Sequence, residues 1–283
     1  MNDLMSFRTA MLETKISPKS KFFERVWENF CSQKFSQRPS HLLSQFPPLS
    51  PKQRDQLLTY AALLKHSRSH SFASWDSDEK GFEIHFRDSF LTIPKETPTR
   101  FLDVGSGAGV PGIIYSILWP NTQSILLESQ KKRCAFLEKA LSELDLHDQV
   151  SVLCGRAEVM AHDPALRESF DLVTARALAP FPQFLEYTAG FVRVEGTLHA
   201  LRGEKDSNAL SEHSILLKKF HLEATHQTSY KLNTDTPTSR FIFLLKKTAP
   251  WPHTLPRNNN QIRGTGKTVV NISNAIGLGR LQH

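Results

Sequence analysis

Cysteines are scarce in this 283-residue sequence, and long apolar runs are lacking. The three cysteines, Cys31, Cys134 and Cys154, form no closely spaced pair, so neither a disulfide framework nor a zinc site is indicated. No stretch reaches the roughly 18 apolar residues that a membrane-spanning helix needs. Charged residues interrupt the first 21 positions, which argues against a signal peptide. These absences predict a cytoplasmic protein with reduced thiols and no membrane association.

The sequence is also unbalanced in charge. No acidic residue follows Asp235, and the whole chain has a net charge of +7 and a pI of about 9.3. A basic balance favours a polyanionic partner such as nucleic acid, but it says nothing about the fold. A hydrophobic content of 39% is enough for a packed core.

Three regions differ in pattern. Residues 1–95 have apolar side chains at helical spacing and are predicted to form an N-terminal helical extension. Residues 96–247 alternate short apolar runs with helical segments, as in a parallel sheet covered on both faces, and form the predicted core. Residues 248–283 contain no acid and are predicted to form a basic, loosely structured tail.

Seven strands are predicted in the core, which makes it an α/β domain with a mostly parallel sheet. The last two strand candidates have only a turn between them, near Asp235–Pro237, so they could pair antiparallel at the edge of the sheet. The strand candidates are Phe101–Val104, Ser124–Glu128, Val150–Leu153, Phe170–Thr174, Thr197–Leu201, Leu222–Tyr230 and Arg240–Lys246. The helical candidates are Val110–Leu118, Lys131–Leu144, a short turn near Pro164–Glu168, Phe181–Val192 and Ser207–Phe220.

The most informative segment is the glycine-rich turn after the first predicted strand. It places Gly105, Gly107 and Gly109 at alternate positions, where glycines permit a sharp turn and the close approach of a ligand to the backbone. The dinucleotide fingerprint would require a further glycine where Val110 stands. Asp103, just before the glycines, suits the cationic amino group of a methionine moiety and would repel a pyrophosphate. The turn therefore predicts S-adenosylmethionine as the ligand.

Polar residues at the ends of the next strands support this interpretation. Glu128 ends the second strand, where a carboxylate can accept hydrogen bonds from both ribose hydroxyls of an adenosine, although it could equally cap the next helix. After the third strand, Gly155-Arg-Ala-Glu158 could let adenine enter beside a small residue, with its amino group near Glu158. Arg176 follows the fourth strand, where the substrate is expected to approach.

Several segments together resemble one family more specifically, the bacterial RsmG family, also called GidB. Its members methylate guanine N7 in 16S ribosomal RNA, and the resemblance extends over residues 82–247. The segments that carry it are Leu102–Gly112, Glu128–Leu137, Gly155–Glu158, Asp171–Ala177 and His85–Ser89.

The resemblance implies a Rossmann-like class I S-adenosylmethionine methyltransferase fold with an N-terminal helical extension. It implies a monomer that acts on small-subunit ribosomal RNA or on an assembly intermediate of that subunit. The cofactor contacts that it implies are Gly105, Val110, Ala157, Glu158 and Arg176, in addition to Glu128 from the strand pattern.

No catalytic base or metal ligand is predicted, because guanine N7 carries an unprotonated lone pair at neutral pH. Two alternatives stay open at this point: a methyltransferase acting on another RNA, a protein or a small molecule, and a non-catalytic RNA-binding relative. The basic residues after Asp235, and Lys131–Arg133 at the start of a helix, are candidates for contact with RNA phosphates. Lys131–Arg133 could equally be a solvated helical face.

Overall fold

The computed structural model describes residues 49–67, 73–232, 234 and 238–264. The chain divides into two compact units, Met1–Gly81 and Phe82–His283. This division lies before the boundary that we predicted at residue 95. The residues after Gly81 continue as a π-helical turn, Phe82–Arg87, in which the buried rings of Phe82 and Phe86 lie 4.9 Å apart.

In the first unit, helix α1 spans Pro51–His66 and begins with a complete capping box. The Ser50 hydroxyl accepts a hydrogen bond from the Gln53 amide, and the Gln53 side chain accepts one from the Ser50 amide. The predicted helical positions from Leu57 to Leu64 lie in α1, whereas those before residue 49 lie outside the described residues. A short helix, α2, spans Asp78–Gly81.

The second unit is built on one seven-stranded sheet, as predicted. Its order is β3-β2-β1-β4-β5-β7-β6, with all pairs parallel except that β7 is antiparallel to both β5 and β6. The turn predicted between the last two strands lies mostly outside the described residues. The strands are β1 Arg100–Val104, β2 Gln123–Glu128, β3 Val150–Cys154, β4 Phe170–Arg176, β5 Val192–Gly203, β6 Leu222–Leu232 and β7 Thr238–Lys247.

Helices follow the parallel strands along the chain. After the π-helical turn, the described helices of this unit are α3 Asp88–Thr92, α4 Gly112–Leu118, α5 Lys131–Leu144, α6 Ala157–Met160, α7 Phe181–Thr188, α8 Ala209–Glu212, α9 Ser214–Lys219 and α10 Asn259–Gly264. None of the helices that the structure describes is long and apolar enough to cross a membrane.

The strand order reverses at β1. β2 lies on one side of β1, with Leu102 paired to Ile125, and β4 lies on the other, with Leu102 paired to Val173. In an open parallel sheet, such a reversal leaves a crevice at the carboxyl ends of the strands, where ligands bind. The residues that follow β1, β2 and β4 therefore meet at this edge.

Two expectations outside the sheet were wrong. The single helix predicted over Ser207–Phe220 is instead two short helices, α8 and α9, which are separated at His213. The predicted loose tail is packed as far as residue 264, because Trp251 and Leu255 are buried in the core cluster of the second unit. The rest of that tail lies outside the described residues.

Candidate cofactor site

The glycine turn after β1 presents bare backbone. Gly105, Gly107 and Gly109 all have positive φ, at 71°, 60° and 93°, a conformation that side chains disfavour. A Cβ atom at Gly105 would lie 2.5 Å from Leu178 Cδ1, and one at Gly109 would lie 2.6 Å from Ile113 Cδ1. At Gly107 the nearest atom would be 3.9 Å away, so the space above this residue is open. The middle of the turn can therefore accept a ligand against its backbone.

Glu128 joins the end of β2 to this turn. Its side chain is buried, and its Oε2 accepts a hydrogen bond of 2.9 Å from the Gly107 amide. Its Oε1 accepts 2.8 Å hydrogen bonds from the amides of Ser129 and Gln130. Because each carboxylate oxygen has two acceptor sites, these bonds fill Oε1 and leave one site, on Oε2, for a ribose hydroxyl, rather than the two that we predicted. The two amides on Oε1 belong to residues before the next helix, Lys131–Leu144, so these bonds order the turn into that helix and are not a helix cap.

Asp103 lies beneath the same turn and is almost completely buried. Its Oδ2 accepts a 3.2 Å hydrogen bond from the Gly112 amide, and a Cβ atom on Gly112 would lie 2.5 Å from that oxygen. Burial raises the pKa of Asp103 to about 7, although hydrogen bonding and the nearby charge of Arg176 oppose the rise. A cationic group placed here would recover the charged carboxylate, so the site fits an ammonium group.

The segment after β3 lies against β2. The Gly155 amide donates a 2.9 Å hydrogen bond to the backbone oxygen of Glu128, and Ala157 begins α6. Glu158 is buried, and its Oε1 accepts a 3.0 Å hydrogen bond from Arg156 Nε. Ala157 and Glu158 thus follow β3, which pairs with the strand that carries Glu128, and their contacts with adenine stay a prediction.

Val110 is buried directly after the glycine turn, before Pro111 at the start of α4. Its part in cofactor binding stays a prediction. The structure therefore brings together the ends of β1, β2 and β3. Five of the six predicted cofactor residues lie at or just after these strand ends, and the sixth, Arg176, ends β4.

Arg176 ends β4, where the substrate is expected to approach, and its half-buried side chain is held by an ion pair. Its Nη1 donates to Asp88 Oδ2 and to the Ile84 oxygen, both at 3.0 Å. Asp88 is buried and also accepts a hydrogen bond from the Tyr230 hydroxyl. The sequence did not reveal Asp88 or Tyr230. Asp88 is 88 positions from Arg176 and Tyr230 is 142 positions from Asp88, and no local pattern relates residues so far apart.

The sheet order, the open glycine turn and the acidic strand ends together define the class of protein. This is a Rossmann-like methyltransferase fold with a site for S-adenosylmethionine. Residues 53–262 match the family model described as rRNA small subunit methyltransferase G, or GidB. The chain belongs to this family and is an S-adenosylmethionine-dependent ribosomal RNA methyltransferase. The match begins before residue 82, where we took the resemblance to start.

Curated relatives agree with this assignment. The chain is 32% identical over 207 residues to the ribosomal RNA small subunit methyltransferase G of Thermoanaerobacter sp. (strain X514), covering 72% of this chain and 85% of that one. It is 34% identical over 215 residues to the protein of that name from Streptococcus pyogenes serotype M5 (strain Manfredo), covering 74% and 89%.

Solved structures with a related fold are more distant. The chain matches M. jannaschii TYW2, solved in complex with AdoMet, with a TM-score of 0.46 and 14% identity, covering 59% of this chain and 75% of that one. It matches the O-methyltransferase TomG from Streptomyces achromogenes, solved in complex with SAM, with a TM-score of 0.46 and 16% identity, covering 67% and 89%.

Proposed function

We propose that this protein transfers the methyl group of S-adenosylmethionine to N7 of a guanine in the 16S ribosomal RNA of the small subunit. It acts as a monomer in the cytoplasm, on the RNA or on an assembly intermediate of the subunit. The observation that carries this proposal is the pairing of the open Gly107 turn with Glu128, in a chain that matches the family model over residues 53–262.

The cofactor residues have distinct roles in this proposal. The backbone at Gly105 and Gly107 lets the cofactor approach closely, and Glu128 Oε2 accepts a hydrogen bond from a ribose hydroxyl at its remaining acceptor site. Asp103 holds its ammonium group, directly or through water. Glu158, beside Ala157, accepts a hydrogen bond from the adenine amino group.

The chemistry needs positioning rather than a base. S-adenosylmethionine supplies a methyl group that is already activated by its bond to a sulfonium. Guanine N7 has a lone pair and carries no proton, so no side chain must remove one before the transfer. The protein can accelerate the reaction by holding N7 in line with the methyl group and excluding water, which lowers the barrier by about 7–11 kcal/mol in well-oriented intramolecular reactions.

The modified nucleoside distinguishes this proposal from its alternatives. Ribosomal RNA treated with the protein and S-adenosylmethionine should contain 7-methylguanosine, and borohydride followed by aniline should cleave the RNA at that site. A methyl group on another atom would exclude the N7 assignment. Cofactor binding without any methylated RNA would instead favour a non-catalytic RNA-binding role.

A further inference from the structure

A pocket of ≈ 660 Å³ lies at the carboxyl ends of β4 and β5. Its size is in the range that holds a small ligand. Arg176 and Arg202 line the side formed by β4 and β5, and Tyr230 and Arg240 line the side formed by β6 and β7. Of the predicted cofactor residues only Arg176 lines this pocket, so the cofactor site does not account for it.

The pocket lies next to the glycine turn. Leu178, which follows the pocket residues Arg176 and Ala177, is so close to the turn that a Cβ atom on Gly105 would lie 2.5 Å from its Cδ1. Burial raises the pKa of Asp103, and Arg176 is among the charges near enough to oppose that rise. A molecule in the pocket would therefore lie at the same edge of the sheet as the glycine turn. The acceptor of the methyl group must lie there, beside the cofactor.

One wall of the pocket has more positive than negative charge. Asp88 accepts hydrogen bonds from Arg176 and from Tyr230. Arg240 Nε lies 3.9 Å from Asp88 Oδ1, which is too far for a hydrogen bond. Two guanidinium groups thus share one carboxylate, and Arg240 forms no hydrogen bond to another side chain among the described residues, so its donors can bind an anion. Guanidinium groups bind phosphate especially well, because their donors match two of its oxygens.

Arg202 adds a donor on the other wall. Its side chain is held by bonds to Asp206 and to the Ala179 oxygen, at 2.8 and 2.7 Å, and lies 4.9 Å from the Phe184 ring. Its Nη1 is buried and has no hydrogen-bond partner among the residues that the structure describes. Buried donors of this kind are rare in native proteins and call for an explanation. An acceptor on a bound molecule would satisfy this one after a small shift of the side chain.

We propose that the pocket holds the target guanine nucleotide of the RNA, rotated out of its stack, with Arg240 on its phosphate and Arg202 donating to O6. This inference rests on the proposed function. The N7 and O6 atoms of guanine share one edge, so a donor on O6 orients that edge while leaving the N7 lone pair available. In a paired RNA helix this edge faces a deep, narrow groove that side chains do not reach. Enzymes that modify a base commonly take it out of the stack.

The two arginines should affect different kinetic constants. We would measure methyl transfer to deproteinised 16S ribosomal RNA with labelled S-adenosylmethionine. Arg202→Gln should lower kcat at least tenfold while changing the cofactor Kd less than twofold. Arg240→Gln should raise KM for RNA about tenfold with kcat retained, and it should reduce the salt dependence of RNA binding by a slope of about one.

Arg193→Gln is the matched control, because Arg193 is also an arginine of β5 paired with an aspartate, Asp171, but does not line the pocket. It should leave both constants unchanged. Where Arg202→Gln melts early, Arg202→Lys keeps the charge and should still lower kcat.

The outcomes separate the two proposals. Unchanged kcat in folded Arg202 variants would remove Arg202 from the base site, and unchanged KM and salt slope in Arg240→Gln would remove the phosphate contact. If the parent protein methylates N7 and both variants match it, the pocket inference fails while the proposed function stands. If the parent protein makes no 7-methylguanosine on deproteinised RNA or on an assembly intermediate of the small subunit, the proposed function itself fails.

Discussion

Glu128 Oε2 accepts a hydrogen bond from the Gly107 amide at 2.9 Å, which ties the end of β2 to the glycine turn after β1. The buried carboxylate thus shapes the turn, and we propose that it also binds the ribose of the cofactor. This dual role predicts that cofactor affinity is more sensitive to Glu128 than to any surface acid of the same helix–strand unit.

Glu128→Ala should weaken S-adenosylmethionine binding by about ten- to a hundredfold, because loss of a charged acceptor costs about 1.5–3 kcal/mol. Calorimetry would measure the Kd. Glu138→Ala is the control, since Glu138 lies half-exposed on α5, and it should bind like the parent. Equal affinity for Glu128→Ala and the parent would remove Glu128 from the site.

Cofactor affinity should fall as the pH drops below 7. Burial raises the pKa of Asp103 to about 7 in the free protein, so below that pH the carboxyl is protonated and cannot bind an ammonium group as an anion. Linkage then predicts about a tenfold weaker Kd at pH 6 than at pH 7.5, with proton release on binding at the lower pH. Calorimetry in two buffers would measure both effects. A flat profile, or the same profile in Asp103→Asn, would contradict this assignment.

The raised pKa of Asp103 also makes the stability of the free protein depend on pH. Since the folded pKa of Asp103 lies above the model-peptide value of 3.8, its contribution to stability is fully present below about pH 4 and is lost as the pH rises through about 7. Asp103→Asn should therefore flatten the dependence of unfolding free energy on pH in this range. Urea denaturation at pH 5 and pH 8 would measure the difference.

Substitution by alanine should have different effects on stability and cofactor affinity at two glycines of the site. Gly107→Ala places a Cβ in open space at a positive φ, so it should cost only about 1–2 kcal/mol of stability but obstruct the cofactor. Gly112→Ala places a Cβ 2.5 Å from Asp103 Oδ2 and 2.6 Å from Leu126 Cδ2, so overpacking should lower stability by about 1–3 kcal/mol or more. Denaturation and cofactor titration of both variants would test the contrast. Normal cofactor affinity in Gly107→Ala would show that the turn does not face the ligand.

The segment after β7 should stabilise the core rather than act as a loose tail. Trp251 is buried, packs edge-on to Phe220 and lies near the cationic group of Lys247. Trp251→Ala should therefore lower the unfolding free energy by about 3–5 kcal/mol, whereas His253→Ala at an exposed position should change it little.

Truncation after Lys247 would be a poor test of RNA contact, because it removes this packing. Truncation after Gly264 removes Lys267 and Arg280, and it should reduce the salt slope of RNA binding only if they contact phosphates.

The sheet could be predicted from the sequence because its determinants are local. Each predicted strand overlaps an observed one, since short apolar runs bounded by polar turns have few other ways to be buried. The glycine turn and Glu128 were recognisable for a similar reason: their chemistry follows directly from strand ends.

The remainder depends on contacts between distant parts of the chain. Nothing near Arg176 in the sequence indicates that Asp88 binds it, and nothing near Asp88 indicates Tyr230. Trp251 and Leu255 stand among prolines and polar residues, so local composition hid the hydrophobic surface on which they pack. The break at His213 was missed because the apolar spacing continues across it.

The most direct test of the account is mass mapping of 7-methylguanosine in 16S ribosomal RNA from cells with and without this protein. The account predicts one 7-methylguanosine that is absent from cells lacking the protein. It should return when the parent protein is supplied, and not when Glu128→Ala is supplied at limiting cofactor. An unchanged set of 7-methylguanosine sites in the two RNAs would contradict it.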